Sequence, residues 1–251
     1  IEQRLADLAS VFAVEVLECS TGDNHSYLIV RIRPDLVQRW SNEEVAKRWL
    51  RVNRSTLKLE PEPSCDMIER FVRNEKKLER ARLALSSLSE FMGCLKQPVA
   101  REANIRDRAI DHFWGGRFQS IRLEDEAAVA AGSAYVNLNP IRAERAQSLE
   151  NAEYTSAYLR LQDEANASSI ERKSDWLQPV DRLAESEAIP DGSAQGRRAS
   201  NDGFLRMSFA EQRRLFELVL SFENQVRATG NEYLTPELPD VLKRQGVSDN
   251  H

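Results

Sequence analysis

Cysteine is scarce in this chain: Cys19, Cys65 and Cys94 stand far apart and never in a closely spaced pair. An odd, dispersed set excludes a disulfide framework and a zinc knuckle, and it reads as reduced, partly buried small hydrophobes. Histidine is equally rare, with only His25, His112 and His251. No Ser-His-Asp, phosphate-loop or dinucleotide pattern falls in a fitting strand or helix context, so the common hydrolase and nucleotide-binding classes have no support. No apolar stretch approaches the roughly 18 to 20 residues of a membrane span, and no charged and then apolar leader opens the sequence. The expectation is a cytoplasmic protein with no membrane partner. Positive charge is not in excess either, since 35 Lys and Arg against 40 Asp and Glu leave a net charge of −5. A nucleic-acid ligand would then be met by a local patch, because counterion release depends on the cations that touch phosphates.

What remains is a chain of 251 residues, 41% hydrophobic and 30% charged. That length fits one elaborated domain or two small ones. Leu5, Leu8 and Phe12 recur at helical spacing and lead into the strand-like Ala13–Leu17. The turn signal Ser20-Thr21-Gly22-Asp23-Asn24 separates this from a second apolar run, Tyr27–Ile32, and the pair reads as an antiparallel hairpin. Helical patterning then extends to about residue 110, with capping boxes at Ser41–Glu44 and Ser87–Glu90. Apolar stripes at Met67, Ile68, Phe71 and Val72 and at Leu88, Phe91, Met92, Leu95 and Val99 are expected to be core.

The segment 112–118 breaks that period with aromatics and glycines, and Phe118–Leu123 alternates like a strand. Glu124-Asp125-Glu126 then starts an Ala-rich helix that carries Tyr135, with Pro140 expected to stop it near Asn139. Tyr135 and Asn139, four apart, share one face of that helix. Asp23, His25 and Tyr27, spaced by two, share one face of the second strand. Residues 161–203 read as a linker, poorest in pattern from about 181, and 204–251 as a helical extension with the stripe Phe204, Leu215, Leu218, Leu220 and Phe222.

The segments Asn24–Val30, Ser87–Met92, Phe113–Phe118, Glu124–Ala127 and Tyr135–Ala143 occur in the order found in single-tyrosine transposases. The chain resembles that family from residue 1 to about 160, and most of all the subgroup associated with repetitive extragenic palindromes. The family motifs are Asn-His-x-His on a strand, a loop like Phe-Trp-x-Gly-Arg-Phe, and a helix ending Tyr-x-x-x-Asn-Pro-x-Arg-Ala. The resemblance implies an α+β fold: a ferredoxin-like antiparallel sheet covered by helices, a helical insertion at about 34–86 and a helical C-terminal extension. Family members carry a further strand before the first helix; none precedes Ile1, so the sheet is expected to lack one element and expose an edge.

The activity implied is cleavage and rejoining of single-stranded DNA beside hairpins through a 5′-phosphotyrosine. Residue by residue, Tyr135 matches the nucleophile, and His25 and Asn139 match ligands to Mg²⁺ or Mn²⁺. Tyr27 stands where the second histidine is expected, and a neutral phenol is a poor ligand for such a cation. Asp23 is the nearby oxygen donor that could compensate. Trp114 and Phe118 are candidate stacking platforms for bases, and Arg117, Arg122 and Arg142 candidate phosphate contacts. The alternative reading is a descendant that binds structured DNA without cutting it, as a monomer or homodimer. A helical interaction module with no nucleic-acid role is the third.

Overall fold

The computed structural model describes residues 1–22, 25–108, 112–166, 172–182 and 197–228. The fold is α+β: helices and, among the described residues, one two-stranded antiparallel sheet. The chain divides into two compact units, and its hairpin contributes to both.

The first unit comprises Ile1–Val16, Val30–Gln119 and Ile189–Asn201. It contains α1 (Glu2–Val11), the opening of β1 (Val14–Thr21) and the close of β2 (Ser26–Ile32). Five further helices follow: α2 (Pro34–Arg39), α3 (Asn42–Arg51), α4 (Cys65–Val72), α5 (Glu75–Leu85) and α6 (Leu88–Asp107). Both expected capping boxes start helices, with the Ser41 and Ser87 hydroxyls accepting from the backbone N–H of Glu44 and Glu90. Ala13, Val37, Val45, Leu78, Ala81 and Leu85 form the core, with Trp40, Trp49 and Phe71 packed around it. Arg4 is buried and spends its guanidinium on the carbonyls of Cys94, Leu57 and Asn53, which ties the segment after α3 to α1. The Met67 stripe departs from expectation: Met67 is exposed and α4 has no buried residue, because the helix touches the core only along one edge, through residues such as Phe71. Cys65, at the start of α4, is likewise exposed, whereas Cys19 and Cys94 are buried.

The second unit comprises Leu17–Ile29, Ser120–Ala188 and Asp202–His251. It holds the turn end of the hairpin, α7 (Glu126–Arg142), a single 3₁₀ turn (Leu149–Asn151), α8 (Ser156–Ala165) and α9 (Phe209–Ala228). The Asp125 side chain caps α7 by accepting from Ala128 N–H at 2.7 Å. Pro140 does not stop this helix, which runs on to Arg142. A proline near the C-terminus forfeits only its own N–H, and the next turn still closes through Ala143 N–H to the Asn139 carbonyl. Leu17, Ile29, Val136, Val180, Phe204 and Leu205 make one apolar cluster, and Ala134, Leu138, Leu149, Ala157, Leu161 and Phe216 another.

The segment Phe118–Leu123 forms no ladder, although its residues alternate. Alternation fixes which way side chains face, but a strand also needs a partner for its backbone, and among the described residues the only paired strands are β1 and β2. The stretch 172–182, read as linker, carries buried Trp176, Leu177 and Val180. On α9, Leu218 and Phe222 are exposed rather than part of a core stripe. No helix among the described residues is long and apolar enough to cross a membrane.

Candidate active site around Tyr135

The site lies in the second unit, where the start of β2 meets the C-terminal half of α7. Helix and strand approach closely at Gly132, where a Cβ would stand 3.2 Å from Ile29 Cδ1 and 3.3 Å from Leu123 Cδ1. Glycine inside a helix costs about 1 kcal/mol against alanine, so packing rather than propensity explains this residue. One turn on, Tyr135 crosses Tyr27 edge to face, with ring centroids 5.2 Å apart. The Tyr135 hydroxyl donates to the Tyr27 hydroxyl at 3.2 Å.

Four residues further along α7, Asn139 reaches the strand as well. His25 Nε2 lies 2.9 Å from Asn139 Oδ1, the geometry of a ring N–H donating to an amide oxygen. The His25 ring also tilts against Tyr27, with centroids 5.0 Å apart. Strand period and helix period thus bring His25, Tyr27, Tyr135 and Asn139 into one cluster, each half-buried. Asp23 lies outside the described residues.

The His25 and Asn139 donors fit two neighbouring positions of an octahedral cation, since ligands at about 2.1 Å on adjacent axes are about 3 Å apart. Among the described residues no group of three or more His, Cys, Asp or Glu side chains surrounds a common point. Among the described residues, His25 and Asn139 are the donors that meet here.

Arg142 is placed beside the nucleophile candidate, but its charge is answered. It forms a two-pronged ion pair with Glu223 of α9, at 2.6 and 3.1 Å, and its guanidinium carbon sits 5.6 Å from the Tyr135 ring centroid. That arrangement orients Tyr135 more than it offers a phosphate contact. Arg122 is exposed in the segment before α7.

Trp114, Arg117 and Phe118 belong to the first unit. Trp114 is half-buried: its indole N–H donates to the Lys96 carbonyl at 2.9 Å, and Lys96 Nζ sits 5.0 Å from the ring centroid while donating to the Gly116 carbonyl at 2.8 Å. Burial pushes the pKa of that ammonium down. The Trp114 face under Lys96 is thus covered, and the neighbouring Phe113 is the more open ring, 42% exposed. Arg117 is exposed, Phe118 half-buried and His112 exposed.

The turn expected from the sequence, and one feature that the sequence did not announce, complete the corner. Gly22 closes the turn before His25 by donating its N–H to the His25 carbonyl at 2.9 Å. Arg145 returns to the same corner because α7 ends in a left-handed residue, Glu144 at φ 56°. Arg145 N–H then donates to the Pro140 carbonyl and Glu144 N–H to the Ile141 carbonyl, the pattern of a Schellman cap. A left-handed cap built on glutamate leaves no glycine in the sequence to mark it. Comparisons with protein-family models, with curated proteins and with solved structures return no match for this chain.

Proposed function

We propose that the second unit carries the site of a single-tyrosine DNA strand transferase, acting on single-stranded DNA next to hairpins. The observation that carries this reading is the convergence of Tyr135, His25 and Asn139, three residues from two distant segments, in one half-buried cluster. In the reaction Tyr135 Oη gives up its proton to solvent and forms a bond to the scissile phosphorus. The bond from phosphorus to the 3′-oxygen breaks, and that oxygen leaves and is protonated, so the DNA 5′ end is held as a phosphotyrosine. A second 3′-hydroxyl reverses these steps and rejoins the strand.

Tyr27 holds the nucleophile's hydroxyl by hydrogen bond and edge contact, and Arg142 packs over its ring. His25 and Asn139 would be the protein ligands of Mg²⁺ or Mn²⁺, which when bound would draw charge off the phosphoryl oxygens. The order helix, hairpin and returning helix supports a ferredoxin-like arrangement. The enzyme of this reading would act on DNA in the cytoplasm, as a monomer or homodimer.

The second reading, a descendant that binds structured DNA without cutting it, is favoured by Tyr27 at the place of the second histidine, which leaves the cation one imidazole poorer. One experiment separates the two: end-labelled hairpin-bearing single strands from the gene's own flanks, incubated with Mn²⁺ and run on a denaturing gel. A covalent adduct absent from Tyr135→Phe supports strand transfer. Retardation on a native gel without an adduct selects the binding descendant, and neither signal refutes both.

A further inference from the structure

The left-handed region of backbone space is rare outside glycine, and among the described residues Arg108, Glu144 and Tyr154 hold it. Arg108 and Glu144 close the ends of α6 and α7, where such a residue caps the last turn. Tyr154, at φ 64°, closes no helix and stands two residues before α8. A bulky aromatic in this conformation is strained, and such strain persists only where the surroundings impose it.

The surroundings of Tyr154 do impose it. Its carbonyl accepts from Thr21 N–H at 3.1 Å, and Thr155 pairs with Ser20 of β1 in an antiparallel bridge. The buried Thr155 hydroxyl donates to the Ala152 carbonyl at 2.7 Å and accepts from Tyr158 N–H at 3.2 Å, which fixes the start of α8. None of these bonds uses the Tyr154 side chain. The residue is 60% exposed, and among the described residues its ring meets no other ring and no cation. Glycine or asparagine would hold the same backbone with less strain, so the fold gains little from a ring here.

The place of that ring points to a ligand. Thr21, bonded to Tyr154, precedes Gly22, whose N–H closes the turn onto the His25 carbonyl. Tyr154 is thus anchored at the turn that presents His25, in the same unit as Tyr135. Glu153, exposed beside it, disfavours phosphate, so the contact that fits is with the face of a base. We propose that Tyr154 is a stacking platform for an unpaired base of the single strand whose phosphate is presented to Tyr135. The proposal rests on the strand-transfer reading for its ligand and on the strained turn at Tyr154 for its location. Every base has a π-face, so a ring at this point holds the strand without reading its sequence.

The test sets stability against binding. Tyr154→Gly and Tyr154→Asn remove the ring and relieve the strain, so both should melt at the wild-type temperature or about 2 °C above it. Their affinity for a hairpin-bearing single strand from the gene's own flanks, read by fluorescence anisotropy in EDTA, should fall about tenfold or more, the scale of one lost base stack. Tyr154→Trp, which keeps a ring, should bind within about twofold of wild type. An iodouracil base in the unpaired flank should cross-link to Tyr154 on irradiation, a signature that a purely structural role does not produce. Wild-type affinity in the Gly and Asn variants overturns the platform, and so does a lower melting temperature in both, which would mean that the ring holds the fold. The Tyr135 adduct, assayed with Mn²⁺ restored, keeps the two readings apart. An adduct in the wild type together with undiminished binding by the ringless variants sinks the platform and leaves strand transfer standing. Binding that depends on the ring, with no adduct, keeps the platform and sinks strand transfer. A wild-type chain that binds no hairpin-bearing strand refutes both.

Discussion

A phenol that donates to a second phenol is held by a weak acceptor, so Tyr27 positions Tyr135 without drawing its proton away. Replacing Tyr27 with histidine separates geometry from chemistry at this site. Tyr27 shares the strand face of His25, and an imidazole there would add a third donor beside His25 and Asn139. Mn²⁺ affinity of Tyr27→His, read by the loss of free-ion signal in electron paramagnetic resonance, should rise about tenfold or more, because imidazole suits this cation and neutral phenol does not. Unchanged affinity would mean that His25 and Asn139 do not ligate. The cysteines give a second residue-scale outcome. Burial raises the Cys94 thiol's pKa and Cys19 is enclosed, so Ellman's reagent should titrate Cys65 alone in the native protein and all three after denaturation. Rapid reaction of a second thiol without denaturant would contradict the burial of these two.

At the scale of elements, the second unit is organised around a buried carboxylate. Glu18 of β1 accepts from Arg160 at 2.8 Å, Asn137 at 3.1 Å, Gln212 at 2.8 Å and the Ser156 hydroxyl, so that one side chain joins the hairpin to α7, α8 and α9. Glu18→Ala leaves the Arg160 charge buried without its partner and should cost about 3 to 5 kcal/mol, seen as a lower urea midpoint. A loss under about 1 kcal/mol would show that water replaces the carboxylate readily. The end of α7 gives the opposite sign. Glu144 holds a left-handed conformation that glycine adopts without strain, so Glu144→Gly should stabilise by about 0.5 to 1 kcal/mol in a thermal melt, with Arg145 kept in place. No gain would mean that the exposed glutamate side chain offsets the strain through contacts of its own.

These elements also mark what sequence could and could not disclose. The hairpin, both capping boxes and the Tyr135 helix follow from local periodicity and cap chemistry, and the period-two and period-four spacings place His25, Tyr27, Tyr135 and Asn139 on the faces that meet. Arg145 was hidden because a glutamate takes the left-handed cap. Glu18 reads as a surface charge until Arg160 and Gln212, far along the chain, enclose it. Phe118–Leu123 alternates without pairing, because pairing belongs to two segments and alternation to one.

For the whole molecule, a net charge of −5 means that no general field draws DNA in, and any affinity must come from a few well-placed cations. Arg117 and Arg122, each exposed, are the candidates that the residues described above supply, while Arg142 is held by Glu223. Each phosphate neutralised on a single strand contributes about −0.7 to the slope of log affinity against log salt, so the slope counts the cations in contact. Fluorescence anisotropy on a hairpin-flanked single strand across a salt series measures it. Arg122→Gln should make the slope shallower by about one contact, roughly 0.7, whereas Glu223→Gln, which releases Arg142 from its ion pair, should steepen it by a similar amount. The second variant is the more discriminating, since removing an acidic charge anywhere on the surface would raise affinity slightly, but a change in slope of a full contact requires a cation newly able to reach phosphate. If Glu223→Gln leaves the slope unchanged, Arg142 stays on the Tyr135 ring without its partner, and its role is to hold Tyr135 rather than to contact phosphate.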